Sequence, residues 1–398
     1  MRTLHGRMLV DGELRVGRIT LRAGRIGSVE LEDTPPHPEL AEDLPILAPG
    51  LIDLHVHGFR GADPVRDLPG MARALAAEGT TAFLPTLFPD DPARLGETAE
   101  EVWGEARRIR CSPAAGLFVD LPEGETLRTN DATLATPLGL HLEGPFVNPL
   151  SAGSLPPERL VEPSPAALRE ILGSATGDGR GIRTMTLAPE LPGALELVKE
   201  LEASGVRVSL GHSRALSDQA VLAAKAGARG VTHLYNAMSG VHHREMGLAG
   251  FALTEDCLVA ELIGDLVHVG PEAVDLALRA RGPRGLAIVS DALAGAGTGC
   301  STFESHGHTC REHAGAFWFD DPEAPGGRRL AGAAASQLEA VRRLTRAGVL
   351  SVAEALTMAS ETPARALGIE DERGRLAAGL VADVLVLDAN LGIIEVVC

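Results

Sequence analysis

The sequence predicts an α/β fold, in which a (β/α)8 TIM-type barrel is joined to a small β-sandwich domain built from both chain termini. Eight short apolar runs lie along the middle of the chain, and helical patterns separate most of them. Both ends of the chain read as short strands broken by turn signals. In addition, side chains that commonly bind metals follow several of the apolar runs, which is where the active sites of such barrels lie.

The chain ends predict the small domain. Hairpin signals at Asp11-Gly12 and Ala23-Gly24 separate strand-like segments near the start. The last stretch, GLVADVLVLDANLGIIEVVC, is apolar in the same strand-like way. We therefore expect residues 1–48 and 372–398 to form the β-sandwich domain and residues 49–371 to form the barrel.

The middle of the chain supplies the strands and helices of the barrel. The apolar runs are Leu51–Val56, Thr81–Leu87, Leu138–Leu142, Arg183–Leu187, Val206–Leu210, Gly230–His233, Cys257–Ile263 and Leu286–Val289. The helical patterns between them are Pro69–Glu78, Glu97–Arg110, Pro192–Ser204, Asp218–Ala226 and Pro271–Ala280. This alternation is typical of a parallel sheet, and eight units favour closure. Two more helices, Ser336–Ala347 and Ser351–Ala359, should pack outside the barrel.

The composition of the chain indicates which classes of partner it can bind. The net charge of −18 argues against nucleic acid or an anionic membrane as a partner, although a local basic cluster can still bind a small anion. The five cysteines form no CxxC pair, which fits a reducing compartment. The first residues show no apolar signal core, and no apolar run is long enough to span a bilayer. We therefore expect a cytoplasmic protein with a small-molecule substrate.

Metal-type side chains at strand ends predict an enzyme. A His-x-His pair on a strand places both imidazoles on one side, although alone it is also consistent with one functional and one incidental histidine. The other strand-end residues favour a catalytic divalent-metal site with one additional carboxylate. The set is His55, His57, Glu143, His212, His233 and Asp291. His141 shares the face of Glu143 but lies deeper, so we interpret it as a core or supporting histidine.

Other segments leave more than one interpretation open. The basic cluster His242-His243-Arg244 follows the sixth strand, and anion binding is favoured over an exposed loop. The tract from Cys300 to His313 matches no standard zinc-finger spacing, and the AGAFWFDDPEAPGGRRL segment after it is typical of a hairpin. Residues 111–137 are predicted as a surface excursion before the third strand. Leu330–Ala333 alone indicates no more than packing at the start of a helix.

Several motifs taken together resemble one family. PGLIDLHVHG, GLHLEGPFVNP, LGHS, THLYNAM, the His-Val within Asp265–Val269, SDA and LAG occur in the order found in N-acetylglucosamine-6-phosphate deacetylases of the amidohydrolase superfamily. The resemblance runs from about Ala48 to Asp388. HLEGPF and THLYNAM are specific to this family, whereas His-x-His indicates only the superfamily.

The resemblance implies a catalytic centre. Glu143, His212 and His233 would hold the metal that the family shares, while His55 and His57 would hold a second one. Each subunit would then bind one or two divalent ions, zinc first, with iron or manganese as alternatives. Asp291 would be the general base and acid.

The resemblance also implies the substrate contacts. Asn236, the Ala237 backbone and His268 would receive the sugar phosphate, together with Arg244 from the partner subunit of a homodimer. The substrate-side residues are Ser154, Asn236, Ala237, Arg244, His268, Leu330, Ala331 and Gly332. The implied reaction is hydrolysis of N-acetyl-D-glucosamine 6-phosphate to D-glucosamine 6-phosphate and acetate.

Three substrate-side positions differ from the family pattern. Leu155 stands where the family has His or Gln, Leu266 where it has Gly, and Ala333 where it has Ser. They leave open deacetylation of the galacto epimer or hydrolysis of another N-acyl compound. A non-catalytic sugar-phosphate-binding protein is a weaker alternative, because a binding module has no need of Asp291.

Overall fold

A computed structural model describes residues 1–32, 42–110, 133–173, 180–305 and 307–398. Most of the predicted excursion, residues 111–132, lies outside the described residues, and Thr136–Pro137 forms the short strand β7. In the described ranges, no helix combines the length and the apolar character needed to cross a membrane.

Both chain ends form one six-stranded sheet, with strand order β19-β18-β4-β1-β2-β3. Its strands are β1 (Arg2–Val10), β2 (Glu13–Arg22), β3 (Arg25–Leu31), β4 (Ile46–Pro49), β18 (Val384–Leu387) and β19 (Ile393–Val397). Asp11 and Gly12 both have positive φ, which is the two-residue hairpin turn that the sequence predicts. The sheet curls, so that Ile26 N of β3 donates to Leu380 O, shortly before β18, at 2.9 Å. The two halves of the sheet enclose one apolar core.

The barrel contains eight parallel strands that run in chain order around the sheet, with β7 added beside β6. The eight strands are β5 (Leu51–Val56), β6 (Thr80–Leu87), β8 (Leu140–Glu143), β9 (Ile182–Leu187), β10 (Arg207–Leu210), β11 (Gly230–Val231), β12 (Val259–Ile263) and β13 (Leu286–Val289). All eight predicted strands are therefore confirmed, with small shifts at their ends.

The barrel closes between β13 and β5 through individual hydrogen bonds. Gln337 Nε2 donates to Ile52 O at 2.9 Å and to Ile288 O at 2.8 Å, bridging the two strands. Asp291 N, just after β13, donates to His55 O within β5 at 2.9 Å. The seam is thus fixed by Gln337 along the strands and by Asp291 at the end that carries the metal-type residues.

The helices described are α1 (Leu68–Ala77), α2 (Pro92–Arg110), α3 (Pro165–Leu172), α4 (Ala194–Ala203), α5 (Ser217–Ala226), α6 (Leu248–Thr254), α7 (Pro271–Arg281), α8 (Gln337–Arg346), α9 (Val352–Ala359) and α10 (Glu361–Ala366). The sequence did not predict α3, α6 or α10. These three are short, and α6 is buried along most of its length, so it has no polar face that would reveal a helical period.

A four-stranded antiparallel sheet is inserted between β13 and α8. It consists of β14 (Thr302–Ser305), β15 (His308–His313), β16 (Ala316–Asp320) and β17 (Arg328–Ala333). The predicted hairpin is confirmed as β16 and β17. The helix-start interpretation of Leu330–Ala333 is wrong, because these residues pair with β16. The preceding Cys300–His313 tract forms β14 and β15, and its described residues belong to no cluster of metal-type ligands.

Candidate metal centre and substrate cavity

The predicted metal-type residues all lie within two positions of the carboxyl end of a barrel strand. This position follows from the fold, because parallel strands present their carboxyl ends at a single mouth. The strands that carry them are β5 for His55 and His57, β8 for Glu143, β10 for His212, β11 for His233 and β13 for Asp291. The structure therefore brings together the residues that the sequence selected separately.

Glu143 lies at the centre of the cluster. Its Oε1 is 3.0 Å from His212 Nε2 and 3.0 Å from His233 Nε2. Its Oε2 is 3.1 Å from His57 Nε2, and His55 Nε2 lies 3.5 Å from Oε1. Both pairs of imidazoles face the same carboxylate, so Glu143 is placed to bridge two ligand groups.

The donor set fits a divalent metal. His212 Nε2 and His233 Nε2 are 2.9 Å apart, and His55 Nε2 and His57 Nε2 are 3.1 Å apart. Two ligands on one tetrahedral ion at about 2.0–2.1 Å are separated by roughly 3.3 Å, which is close to this spacing. Three groups of three metal-type residues lie close enough to share an ion, and Glu143 belongs to two of them, so these two groups could hold one or two ions.

The surrounding histidines keep the central carboxylate anionic in spite of its burial. Burial alone would raise the pKa of Glu143, but the charge of His55 and hydrogen bonds from His212 and His233 lower it well below its usual value. Burial likewise lowers the pKa of His55, while the charges of Glu143 and Asp291 raise it well above its usual value. The centre therefore concentrates opposite charges away from solvent.

A buried carboxylate that the sequence analysis missed orients His55. Glu261 lies within β12 and is 1% exposed, and its Oε2 accepts from His55 Nδ1 at 3.1 Å. Such a bond fixes the ring so that Nε2 faces Glu143, and it would increase the basicity of His55 as a ligand. The signal in the sequence was a lone glutamate in the apolar run before Gly264. The ring of His141 packs edge-on against that of His55, with centroids 4.6 Å apart, and His141 forms a three-residue group of metal-type ligands with His55 and Glu261.

Asp291 borders the cluster without being part of its tight core. Its Oδ1 is 3.6 Å from His55 Nε2 and 3.7 Å from His57 Nε2, and its side chain is 13% exposed. Asp291, His212 and His233 all have positive φ, which is uncommon for residues other than glycine. Strained backbone of this kind concentrates at functional sites. The carboxylate is positioned to exchange a proton with a molecule in the cavity.

The cluster forms the floor of a cavity of about 730 Å³. His57, Glu143, His212, His233 and Asp291 line it from the metal side. The predicted substrate residues that line it are Ser154, Asn236, Ala237, His268, Leu330 and Ala331. The cavity thus joins the metal centre to most of the predicted substrate contacts.

Comparison with known proteins decides the family. Residues 46–397 match the model of the amidohydrolase family. The chain belongs to the amidohydrolase family. The site described above is accordingly that of a hydrolase acting on an amide.

Individual relatives of this amidohydrolase cover most of its length. It is 32% identical over 395 residues to the N-acetylglucosamine-6-phosphate deacetylase of Bacillus subtilis (strain 168), covering 97% of this chain and 92% of the relative. It is 34% identical over 358 residues to the N-acetylgalactosamine-6-phosphate deacetylase of Escherichia coli O157:H7, covering 89% and 86%. The crystal structure of N-acetylglucosamine-6-phosphate deacetylase from Thermotoga maritima superposes with a TM-score of 0.81 at 27% identity, covering 100% and 99%.

Two predicted substrate residues of the amidohydrolase do not line the cavity. Gly332 lies behind it, where an added Cβ would be 2.8 Å from the Leu293 side chain and 3.1 Å from Asp291 O. Arg244 is exposed, and its guanidinium lies 2.9 Å from His243 Nε2. A role for Arg244 therefore depends on a second subunit and stays a prediction.

The positions that differ from the family pattern provide no side chain to the cavity. Leu155 is 2% exposed, whereas its neighbour Ser154 lines the cavity and donates to Ala331 O at 3.1 Å. Ala333 donates its backbone N–H to Asp291 O at 2.9 Å, which supports the catalytic segment. The sequence analysis also missed three arginines of the amidohydrolase cavity, namely Arg214, Arg328 and Arg329.

Proposed function

We propose that this amidohydrolase is a metal-dependent deacetylase that converts N-acetyl-D-glucosamine 6-phosphate to D-glucosamine 6-phosphate and acetate. One observation carries the proposal: a single cavity joins the metal-type cluster and Asp291 to a set of cationic side chains. A substrate with an amide at one end and an anion at the other matches that arrangement. Relatives that cover most of the chain bear the same activity in their names.

The metal would be held by two overlapping groups of residues. Glu143, His212 and His233 would hold one ion, and His55, His57 and Glu143 would hold the second. A bound divalent ion would act as a Lewis acid and would lower the pKa of water towards neutrality. Zinc is the ion that we propose, because histidine and carboxylate ligands at this spacing suit it, with iron or manganese as alternatives.

Residues of the chain would orient the substrate and move the proton. Asp291 would accept a proton from the attacking water at its carboxylate and return it to the amine nitrogen that leaves. His268 is fixed through Nδ1, which donates to Asp265 Oδ2 at 2.7 Å, so Nε2 is the nitrogen that would donate to the phosphate. Although burial lowers the pKa of His268, the hydrogen bond and charge of Asp265 raise it, which favours the cationic form. Asn236 and the Ala237 backbone would complete the phosphate contacts.

The proposal is tested by acetate release from a panel of N-acetylhexosamines, with and without a 6-phosphate, after loading with defined metals. We expect the gluco 6-phosphate to give the highest kcat/KM, and metal removal to abolish the reaction. Release of ammonia without acetate, or equal rates with and without phosphate, would contradict the proposal.

A second candidate is deacetylation of the galacto epimer. The 34% identical relative from Escherichia coli O157:H7 is named for that substrate. The same panel separates the two, because the epimers differ only at one hydroxyl. A kcat/KM that is higher for the galacto 6-phosphate would select this candidate.

We also propose a cytoplasmic homodimer in which Arg244 binds the phosphate of the substrate held in the neighbouring subunit. Its exposure on the 240–247 loop, outside the cavity of its own chain, supports this assembly. Mixing Arg244→Ala protomers with Asp291→Asn protomers should then restore activity, because one site of a mixed dimer contains both residues. No recovery in demonstrably mixed dimers would contradict the shared site.

A further inference from the structure

Arg214 differs from the other arginines of the cavity in having no strong partner. Its guanidinium donates to Leu150 O at 3.3 Å and, across the described ranges, forms no ion pair. Arg329 is paired with Asp321 at 2.6 Å, and Arg328 lies over the Trp318 ring at 4.8 Å. Most of the donor capacity of Arg214 is therefore available to a ligand.

The backbone that carries Arg214 is fixed beside the segment proposed to contact the phosphate. Ser213 N donates to Ala237 O at 3.0 Å, and Ser239 N donates to Ser213 O at 3.0 Å. Arg214 therefore lies next to Ala237 at the wall of the same cavity.

A carboxylate holds this backbone in place without neutralising the guanidinium. Glu190 Oε1 accepts from Arg214 N at 2.6 Å, and Oε2 accepts from Ser213 Oγ at 2.7 Å. Glu190 Oε1 also accepts from Asn148 Nδ2 at 2.8 Å, which ties the loop after β8 to the same point. The backbone is thus positioned in advance, while the side chain remains exposed at the cavity.

The charges around the cavity indicate which kind of ligand Arg214 would bind. The chain has a net charge of −18, and Glu143 and Asp291 place part of that negative charge at the floor of the cavity. An anionic substrate needs a local cation to offset that field, and arginine binds phosphate oxygens in a two-pronged geometry. We propose that Arg214 is a specificity-determining residue that binds the phosphate of the substrate from within the same chain. This inference rests on the proposed deacetylation of a sugar phosphate.

The experiment measures kcat/KM of wild type, Arg214→Gln and Arg214→Lys for N-acetylglucosamine with and without its 6-phosphate. For the phosphorylated sugar, Arg214→Gln should lose roughly tenfold to a hundredfold, the range for a charge-assisted hydrogen bond. Arg214→Lys should lose less. The unphosphorylated sugar and the metal content should be unaffected. Arg279→Gln is the matched control, because it removes the same charge from the exposed face of α7.

The outcomes separate the two proposals. An active wild type together with an unaffected Arg214→Gln would overturn the role of Arg214 alone. An equal loss for both sugars would also overturn it, since Arg214 would then act only by holding Leu150. A wild type that does not deacetylate the phosphorylated sugar would overturn the proposed function, and with it this inference.

Discussion

The metal centre and the rim of the cavity are constructed from different kinds of structure. The ligands lie at strand ends, where even His212 and His233 have side chains only 5% exposed. The rim consists of loops and β17, where Arg214 and Arg328 are exposed. Residues on strands of a closed barrel have few alternative positions, whereas loops vary at little cost to the fold. We therefore expect substitutions in the centre to affect every substrate and substitutions at the rim to change substrate preference.

The largest effect that this comparison predicts is at Glu143. Glu143→Gln removes the charge that faces all four histidines, so both ligand groups should lose their metal together. Because metal stabilisation of the transition state is worth several kcal/mol, turnover should fall by roughly a thousandfold or more for every substrate. Metal analysis and acetate release measure the two effects. Glu272→Gln, on the exposed start of α7, is the control and should match wild type.

Full metal content in folded Glu143→Gln would contradict the assignment of the centre. Substrate-dependent losses would contradict the comparison itself, because they would mean that a central ligand also sets preference.

Asp291 should give the next largest effect. Asp291→Asn keeps the size of the side chain and the backbone bond to His55 but removes the carboxylate that we propose exchanges the proton. Turnover should fall by roughly a hundredfold or more with all substrates, while metal content is retained, as is usual for a positioned acid or base. Pre-steady-state acetate release and metal analysis distinguish slow chemistry from lost metal. Near-wild-type turnover would assign the proton transfer to another group.

A substitution of Glu261 tests whether the metal centre depends on a residue that contacts a ligand without being a proposed ligand itself. Glu261→Gln should weaken metal affinity or activity by about tenfold to a hundredfold, the usual effect of losing a carboxylate behind a ligating histidine. The readout is metal retention against a series of chelator concentrations. Unchanged retention would mean that His55 is oriented without this carboxylate, or that the second ion contributes little.

The difference between strand ends and loops also explains which parts of the site the sequence could predict. Each proposed ligand lies at the carboxyl end of an apolar run or within two residues of it, and in a parallel barrel that position alone brings distant residues together. The role of Glu261 was not predicted, because an apolar strand indicates only that its residues are buried. Which side chain Glu261 contacts across the barrel depends on how β12 and β5 are aligned, and the sequence does not show that alignment. The interpretation of His141 as a core or supporting histidine stays a prediction, because His141 also lies in a three-residue group with His55 and Glu261.

The rim was less predictable because its contacts are not periodic. Arg214 follows a metal ligand closely in sequence, yet its place at the cavity depends on the bonds of Ser213 and Glu190 to other loops. Leu330–Ala333 extends the second strand of the predicted hairpin through its pairing with β16, but the sequence did not indicate how far beyond Leu330 that strand continues. For Arg244 the proposed neighbour is a second copy of this chain, and a sequence does not show how two copies would pack together.

The smallest predicted effect is a pH dependence at the rim. The pKa of His268 is raised above its ordinary 6.5, so the ring is cationic at lower pH and becomes neutral as the pH rises through that raised value. Phosphate binding should therefore weaken as His268 loses its proton above pH 6.5. We expect a loss of about fivefold, because a hydrogen bond to a charged group is worth ~1 kcal/mol more than one between neutral groups. KM of the phosphorylated sugar, measured across this range for wild type and His268→Gln, isolates the effect. The ionisation of the phosphate is common to both proteins, so only wild type should show the additional rise. Parallel pH profiles for the two proteins would mean that His268 does not bind the phosphate as a cation.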